Sequence, residues 1–210
     1  MKLVVFGSTG RVGGSVVTQA LEAGHEVAAY ARPASVGRLP AGVEVHAGEL
    51  DDAAAIASAV SGADAVISGL GARENTADQV PMLTVAYECI CQAMADAGVQ
   101  RLVAISGSAT RLPGERVSFG RGVMRVVMKL LGRHILRANE AAAEVILGTG
   151  LEWVLVRPPR IVDGGVTGER VADRDGTASM QITVGDVAAF MLESASSDEW
   201  VRAAPFVSAP

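Results

Sequence analysis

Three glycines follow the first apolar segment of the chain, in the run Gly7-Ser8-Thr9-Gly10-Arg11-Val12-Gly13. The segment Lys2–Phe6 before them suits a buried strand, and residues 11–23 after them carry apolar side chains at helical spacing. In a strand-to-helix turn, glycines let the backbone approach a phosphate closely, and the N–H groups of the helix attract its charge. The run therefore predicts a phosphate site made by backbone. Two residues separate Gly7 from Gly10, whereas one residue separates the first two glycines of the G-x-G-x-x-G dinucleotide fingerprint. The alternative is therefore a turn with a purely structural role.

Two arginines follow the second predicted strand, where a dinucleotide-binding fold meets the adenosine ribose. Arg32 ends this strand, and Arg38 lies in the loop after it. A carboxylate at this position would accept hydrogen bonds from a free 2′-hydroxyl and repel a 2′-phosphate, whereas arginine supplies charge and a planar fork of donors. Arg32 therefore favours NADP(H) over NAD(H), and Arg38 is predicted to close on the same phosphate. The alternative for each is a solvated surface arginine.

Strands and helices alternate along the chain in the pattern of a doubly wound α/β fold. The pattern predicts strands at 2–6, 25–31, 43–47, 64–68, 101–106, 151–157 and 204–208, and helices at 11–23, 51–60, 78–97, 121–147 and 185–195. Right-handed crossovers place the loops after the strands along one edge of a parallel sheet, where such folds bind ligands. We expect a single Rossmann domain over residues 1–210, with helices on both faces and a small substrate-side part from about residue 158.

Composition and charge narrow the class of protein. Of the 210 residues, 50% are hydrophobic, which is enough for a large core. No apolar run approaches the about 18 residues that span a bilayer, and the chain starts with a predicted core strand, so we expect a cytoplasmic protein without a membrane partner. The net charge of −5 argues against nucleic acid as a partner. Neither histidines nor cysteines stand at metal-ligand spacing, and no metal is expected.

Six motifs together give the chain a resemblance to a known family. They are Gly7–Gly13, Arg32 at its strand end, Gly48–Asp52, Ser68–Arg73, Ile105–Ser108 and Gly150–Pro159. With them the chain resembles, over nearly its whole length, the atypical short-chain dehydrogenase/reductase group. Within that group it is similar to the small NAD(P)H-binding proteins akin to flavin/biliverdin reductases and NmrA-like regulators. The resemblance implies a Rossmann fold and a nicotinamide cofactor, and it is much less specific about the substrate.

The resemblance also implies roles for the loops after the third and fourth strands. Relatives carry an acid that binds the adenine amino group beside an apolar residue that packs on the ring, and here Glu49 and Leu50 occupy these places. Glutamate replaces the usual aspartate, and capping of the helix near Asp52 is the alternative role for Glu49 and Asp51. The run Gly69-Leu70-Gly71 brings backbone beside the ribose and pyrophosphate in the family, and Arg73 of this chain is a candidate to contact an anionic group. An ordinary glycine turn is the alternative.

The catalytic part of the resemblance is incomplete. Ser106 and Ser108 stand where classical members hold a serine against the substrate carbonyl, but the tyrosine and lysine of a Y-x-x-x-K helix are missing. Carbonyl reduction assisted by a phenol is therefore not supported. Hydride transfer to a conjugated ring needs mainly orientation, and it fits these residues better. In relatives the loop Pro158-Pro159-Arg160 packs against the nicotinamide end, so Arg160 is a candidate to face an acceptor's phosphate or carboxylate. A stiff strand exit is the alternative for the prolines.

Residues 111–137 concentrate seven basic residues, with Glu115 as their only acidic neighbour. Their helical spacing predicts one basic face, opposite a stripe of residues predicted to lie in the core. This stripe consists of Val123, Val126, Val127 and Leu130. The favoured interpretation is a solvated face, and the alternative is a landing site for an anionic substrate or partner.

Three functions are compatible with these features. The first is an NADPH-dependent reductase of a small-molecule acceptor, such as a flavin, a quinone or a tetrapyrrole. The second is a non-catalytic NADP(H)-binding redox sensor of the NmrA-like type, which the missing tyrosine and lysine favour and the short C-terminal part disfavours. The third is a sugar-nucleotide epimerase or dehydratase, which normally needs the tyrosine and a larger C-terminal part. The oligomeric state is left open.

Overall fold

Six parallel strands form the central sheet. The computed structural model describes residues 1–115, 122, 126 and 129–210. The strands are β1 (Lys2–Phe6), β2 (Glu26–Ala31), β3 (Glu44–Ala47), β4 (Ala65–Ser68), β5 (Arg101–Ile105) and β6 (Glu152–Val156). Their order is β3-β2-β1-β4-β5-β6, and every neighbouring pair is parallel. The strand order reverses between β1 and β4, which is the ligand-binding crevice of a Rossmann fold and confirms the predicted fold class.

Helices cover both faces of the sheet. They are α1 (Arg11–Glu22), α2 (Ala53–Val60), α3 (Gln79–Ala97), α4 (Arg133–Leu147) and α5 (Val184–Ser194). Successive side chains of a strand point to opposite faces, so Leu3 and Val5 pack with α1 and α5, whereas Val4 and Phe6 pack with α2, α3 and α4. Burial on both faces explains why the central strands β1 and β4 are nearly continuous apolar runs, whereas the edge strand β3 is largely exposed.

The predicted helix over 121–147 differs most from the observed structure. Helix α4 begins at Arg133, because Gly132 has φ −142° and ψ 38° and leaves the helical conformation. Glycine has no Cβ to favour helical dihedral angles, and a helix interior is a costly place for it. The other predicted elements agree with the observed ones to within two residues at each end.

The core stripe predicted for this segment was wrong where the structure describes it. Val126 is 58% exposed and Leu130 is 77% exposed. Val123 and Val127 lie outside the described residues. Helical periodicity predicts that apolar residues share a face. It does not show whether another element covers that face, and here the described leucine and valine are uncovered.

Three short strands in the C-terminal part were not predicted. Strand β7 (Arg160–Val162) pairs in parallel with β9 (Gln181–Thr183), and β8 (Val171–Asp173) pairs antiparallel with β10 (Phe206–Ser208). The predicted strand 204–208 corresponds to β10, which lies outside the six-stranded sheet. The chain just before it follows β6, since Leu155 N donates to Ala203 O (3.0 Å) and Arg157 N donates to Pro205 O (2.9 Å).

A buried carboxylate fixes the loop between β7 and β8 to the start of α5. Asp186 is 2% exposed and accepts hydrogen bonds from Thr167 N and Oγ1 (2.9 and 2.6 Å), Gly168 N (3.1 Å) and Thr183 Oγ1 (2.8 Å). Burial by itself raises the pKa of Asp186, but these hydrogen bonds outweigh it and hold the pKa below the usual range. In the described ranges, no helix is both long and apolar enough to cross a membrane.

Candidate functional site

A cleft of about 640 Å³ opens at the carboxyl edge of the sheet, where the strand order reverses. Loops after the first four strands and the start of α3 form its walls. The predicted binding residues in its lining are Gly7, Thr9, Arg32, Glu49, Leu50, Leu70, Gly71 and Arg73. Asp51 of the Gly48–Asp52 motif also lines it. Lining residues that the sequence did not single out are Tyr30, Ala31, Glu74, Gln79, Pro81, Met82, Leu83 and Val85. The structure thus brings the predicted phosphate turn, the adenosine-side arginine and the loop after β4 into one cavity.

Three glycines pack backbone against backbone at the floor of this cleft. Gly7 has φ +69°, which favours glycine. A Cβ on Gly13 would lie 2.3 Å from the Gly7 carbonyl oxygen, and a Cβ on Gly69 would lie 2.9 Å from Gly13 N. Both distances are far below van der Waals contact, so the fold itself requires glycine at these positions.

Gly10 differs from its neighbours because its surroundings are less crowded. It precedes the first residue of α1, and no side chain within the described ranges caps this helix start. A Cβ on Gly10 would lie 3.1 Å from Gly7 O and 3.7 Å from an Arg73 guanidinium nitrogen. The uncapped N–H groups of the first turn and the nearby guanidinium both favour a negatively charged ligand.

The remaining side chains of the glycine run are engaged within the protein. The Ser8 hydroxyl is buried and donates to Tyr30 O (2.8 Å), which ties the turn to the end of β2. Arg11 forms an ion pair with Asp163 Oδ1 at 2.6 Å, and Val12 packs in the core. These residues offer a ligand their backbone, in line with the prediction that the turn binds through main-chain groups.

A 3₁₀ helix, Pro33–Arg38, follows β2; Arg32 immediately precedes it and Arg38 is its last residue. Arg38 Nη2 donates to Ser35 Oγ (2.8 Å) and to Thr9 Oγ1 (3.4 Å), so its guanidinium bridges this helix and the glycine turn. Arg32 is exposed at the cleft, and within the described part of the chain its guanidinium forms no hydrogen bond or ion pair. A free guanidinium beside a second cation is a suitable place for a phosphate.

Buried polar groups fix the loop after β4. Gln79 is 8% exposed, and its Oε1 accepts a hydrogen bond from Arg73 N (3.0 Å). The Tyr87 hydroxyl contacts Ser68 Oγ (2.9 Å) and donates to Leu70 O (3.4 Å). These contacts set the backbone of the loop, while the Arg73 side chain is exposed and makes no hydrogen bond or ion pair with any other described residue. Nothing in the sequence distinguishes Gln79 from a solvated helix residue.

The loop after β3 is built around Tyr30. The Tyr30 hydroxyl donates to Glu49 O (2.8 Å), and a Cβ on Gly48 would lie 2.2 Å from that hydroxyl oxygen. Burial, reinforced by the neighbouring acids, raises the pKa of Tyr30 to about 12. Asp52 caps α2, since its Oδ1 accepts from Ala55 N (3.0 Å). Capping by Glu49 and Asp51 is therefore wrong, and both exposed carboxylates remain at the cleft.

The two serines lie on loops beside the cleft, not in its lining. Ser106 N donates to Val156 O (2.8 Å), and Ser108 N donates to Pro158 O (2.9 Å), so the loops after β5 and β6 are joined through their backbones. The Ser106 hydroxyl donates to Thr110 Oγ1 (2.9 Å). The Ser108 hydroxyl has no hydrogen-bond partner among the residues that the structure describes. Ser108 is thus the serine with a hydroxyl available to a ligand.

The proline loop follows β6 at the same edge of the sheet. Pro158 is buried, Pro159 is half-buried, and Arg160 is exposed at the first position of β7. The Arg160 backbone N–H donates to Met180 O (3.2 Å). Its guanidinium makes no hydrogen bond or ion pair within the described ranges. The loop therefore combines a rigid apolar surface with one available cation.

Sequence reasoning missed a buried ion pair that supports these loops. Arg157 is 3% exposed, and its Nη1 lies 2.8 Å from Glu115 Oε1. Its Nε and Nη2 also donate to Ala204 O (2.9 and 2.6 Å), and its guanidinium lies 3.8 Å from the centre of the Phe206 ring. The second Glu115 oxygen accepts from Leu112 N (3.1 Å). The one feature of the sequence that could have indicated this ion pair is that Glu115 is the single acidic residue among seven basic ones in residues 111–137.

Comparisons with known proteins agree with this geometry. A family model described as NAD(P)H-binding matches residues 7–198. The structure is similar to the oxidoreductase ylbE of Lactococcus lactis, with a TM-score of 0.81, 22% identity and coverage of 100% of this chain and 91% of that chain. It is also similar to ChuY, an anaerobillin reductase of Escherichia coli O157:H7, with a TM-score of 0.80, 20% identity and coverage of 100% and 98%. A short-chain dehydrogenase/reductase of Veillonella parvula gives a TM-score of 0.80 at 16% identity, with coverage of 100% and 94%. At these identities the structural likeness shows a shared fold.

Proposed function

The chain belongs to the NAD(P)H-binding family, and we propose that it is an NADPH-dependent oxidoreductase that delivers hydride to a flavin, a quinone or a similar conjugated acceptor. Family membership gives the class of cofactor, and the cleft supplies a place for it. The observation that carries the proposal is the arrangement of Arg32, Arg38 and Arg73 around the glycine turn. The anaerobillin reductase among the similar structures supports an acceptor with an extended conjugated system.

Preference for NADPH follows from the charges on the adenosine side of the cleft. Arg32 is exposed beside the cleft, and Arg38 is held against Thr9. A 2′-phosphate placed between them gains charge-assisted hydrogen bonds, each contributing about 1.5–3 kcal/mol. A free 2′-hydroxyl gains little from two cations. Glu49 and Asp51 lie further along the same wall and suit the uncharged adenine better than a phosphate.

Charge reversal at Arg32 tests this preference. We expect Arg32→Glu to weaken NADPH binding by more than tenfold, or about 1.4 kcal/mol, and to leave NADH binding nearly unchanged. Arg174→Glu is the matched control, because Arg174 is exposed outside the cleft and reversal there changes the net charge equally. Fluorescence titration with both nucleotides measures the effect. Equal losses for NADPH and NADH would contradict the assignment.

We propose that the catalytic residues act by orienting the acceptor against the nicotinamide. When bound, the nicotinamide supplies a hydride. We propose that the Ser108 hydroxyl, which has no hydrogen-bond partner among the described residues, donates to the acceptor, and that the half-buried Pro159 packs against the acceptor. Arg160 is available to an acceptor's phosphate or carboxylate. Both tyrosines of the chain are buried, and burial raises the pKa of each above the ordinary value of about 10. Neither is therefore set up as an acid near neutral pH.

A non-catalytic redox sensor is the second candidate, and the absence of the tyrosine and lysine of a Y-x-x-x-K helix favours it. One experiment separates the two candidates. The protein is saturated with NADPH, then FMN, riboflavin and a quinone are added in turn while absorbance at the nicotinamide band is followed. Oxidation that depends on the protein supports the reductase. Tight NADPH binding without oxidation by any acceptor supports the sensor.

A further inference from the structure

Large apolar side chains are exposed beside basic ones in one described part of the chain. Val126, Leu130 and Leu131 are 58%, 77% and 75% exposed. Lys129 and Arg133 are also exposed. We call these five residues the apolar–basic patch. Residues 129–131 have helical backbone, and so does Val126.

The stretch of sequence that contains this patch has a charge opposite to that of the chain as a whole. Residues 111–137 contain seven basic residues and one acidic residue, whereas the whole chain has a net charge of −5. The single acid, Glu115, is already paired with Arg157. A surface that complements the patch must therefore be anionic and also receive exposed leucine side chains.

The patch is attached to the rim of the cleft. Asn75 Nδ2 donates to Leu131 O (3.0 Å), and Asn75 Oδ1 accepts from His134 N (2.9 Å). Asn75 belongs to the loop after β4, in which Arg73 and Glu74 line the cleft. One side chain thus connects the chain around the patch to the loop that carries a wall of the site.

We propose that the apolar–basic patch binds the surface of an anionic phospholipid membrane. Exposed leucines enter the boundary between headgroups and acyl chains, while Lys129 and Arg133 extend their apolar stems and keep their charges at the headgroups. No spanning segment is needed, so the expectation of no membrane partner, which rested on the absence of such a segment, does not apply to this mode. Docking here presents the rim of the cleft to the bilayer. Docking in this orientation would also give the cleft access to a quinone dissolved in the lipid. This corollary rests on the proposed function, whereas membrane binding itself does not.

The test is co-sedimentation of the full chain with vesicles, without nucleotide or acceptor. Vesicles of phosphatidylcholine alone are compared with vesicles that contain phosphatidylglycerol. We expect binding to the anionic vesicles and none to the neutral ones. The double variant Leu130→Glu/Leu131→Glu should lose at least tenfold in affinity. Lys129→Gln should lose about fivefold, the effect of one cation near an anionic surface.

The matched control places the same charges on exposed apolar residues elsewhere. Val166 and Met180 are 55% and 60% exposed. The control variant Val166→Glu/Met180→Glu should lose only the affinity for anionic vesicles that two added negative charges cost in either double variant. Circular dichroism checks that each variant is folded. No binding to anionic vesicles, or equal losses in the two double variants, overturns the proposal. A dimer that only Leu130→Glu/Leu131→Glu dissociates, without vesicle binding, overturns it in favour of a second copy of the chain. Because no turnover is measured, failure here leaves the proposed function untouched.

Discussion

Two adjacent glycines in the first turns of α1 should respond in opposite ways to alanine. A Cβ on Gly13 would lie 2.3 Å from the Gly7 carbonyl oxygen and 2.7 Å from its carbon. A Cβ on Gly14 would meet only Ser8 O, at an ordinary 3.4 Å. Both substitutions add the same methyl group to the same helix. They differ in whether the glycine turn that follows β1 must move.

The expected magnitudes follow from these distances. Alanine in a helix is favoured over glycine by about 1 kcal/mol. At Gly14 this gain is nearly unopposed, so Gly14→Ala should raise the free energy of unfolding by up to about 1 kcal/mol. At Gly13 the added carbon meets backbone that has no rotamer to change. Overpacking of about 1–3 kcal/mol or more then exceeds the helical gain, and we expect a net loss of about 2 kcal/mol.

Urea denaturation of the two variants and the unaltered protein measures the difference. With a slope of about 2–3 kcal/mol/M for a chain of this size, the two midpoints should differ by roughly 1 M at an unchanged slope. NADPH affinity should fall only in Gly13→Ala, because displacement of Gly7 distorts the phosphate turn. If Gly13→Ala and Gly14→Ala unfold at the same urea concentration, the close backbone packing inferred for this turn is incorrect.

Three further predictions concern the fold and the site. Asp186→Asn should lower the free energy of unfolding by about 1–3 kcal/mol at pH 7, as measured by urea denaturation. The folded-state pKa of Asp186 is depressed, so the stability that its carboxylate contributes is present above about pH 4 and is lost as the pH falls. The difference in stability between this variant and the unaltered protein should therefore narrow on acidification. Gly48→Ala should displace Tyr30 and weaken NADPH binding, and adding Tyr30→Phe should restore part of it by removing the hydroxyl 2.2 Å from the new Cβ; a double variant as weak as the single one would locate the conflict elsewhere. Ser106→Ala and Ser108→Ala should each leave flavin turnover within a few-fold if the serines only make contacts, whereas a loss of about 10²-fold or more would reveal acid–base participation.

Local patterns were enough to predict the architecture and the glycine turn between β1 and α1. A buried parallel strand must be apolar on both faces, and a helix must repeat its apolar residues with its own period, so both can be recognised within a short window of sequence. The glycine run could also be recognised from the sequence, because glycine is needed where two backbone segments approach so closely that a Cβ would clash, as at Gly13. The prediction of one helix over 121–147 was wrong at Gly132 because it also relied on a local pattern, and apolar residues at helical spacing continue on both sides of that glycine.

The assignment of individual side chains was decided only by the tertiary structure. Ser8 and Arg11 belong to the predicted phosphate run, yet one is bonded to β2 and the other is paired with Asp163. Arg73 is far from Gly10 in sequence, and its guanidinium comes to within 3.7 Å of the Cβ position there. Periodicity and glycine placement report which backbone conformation a segment favours. Which side chains remain free for a ligand depends on partners distant in sequence, and only the folded chain brings those partners together.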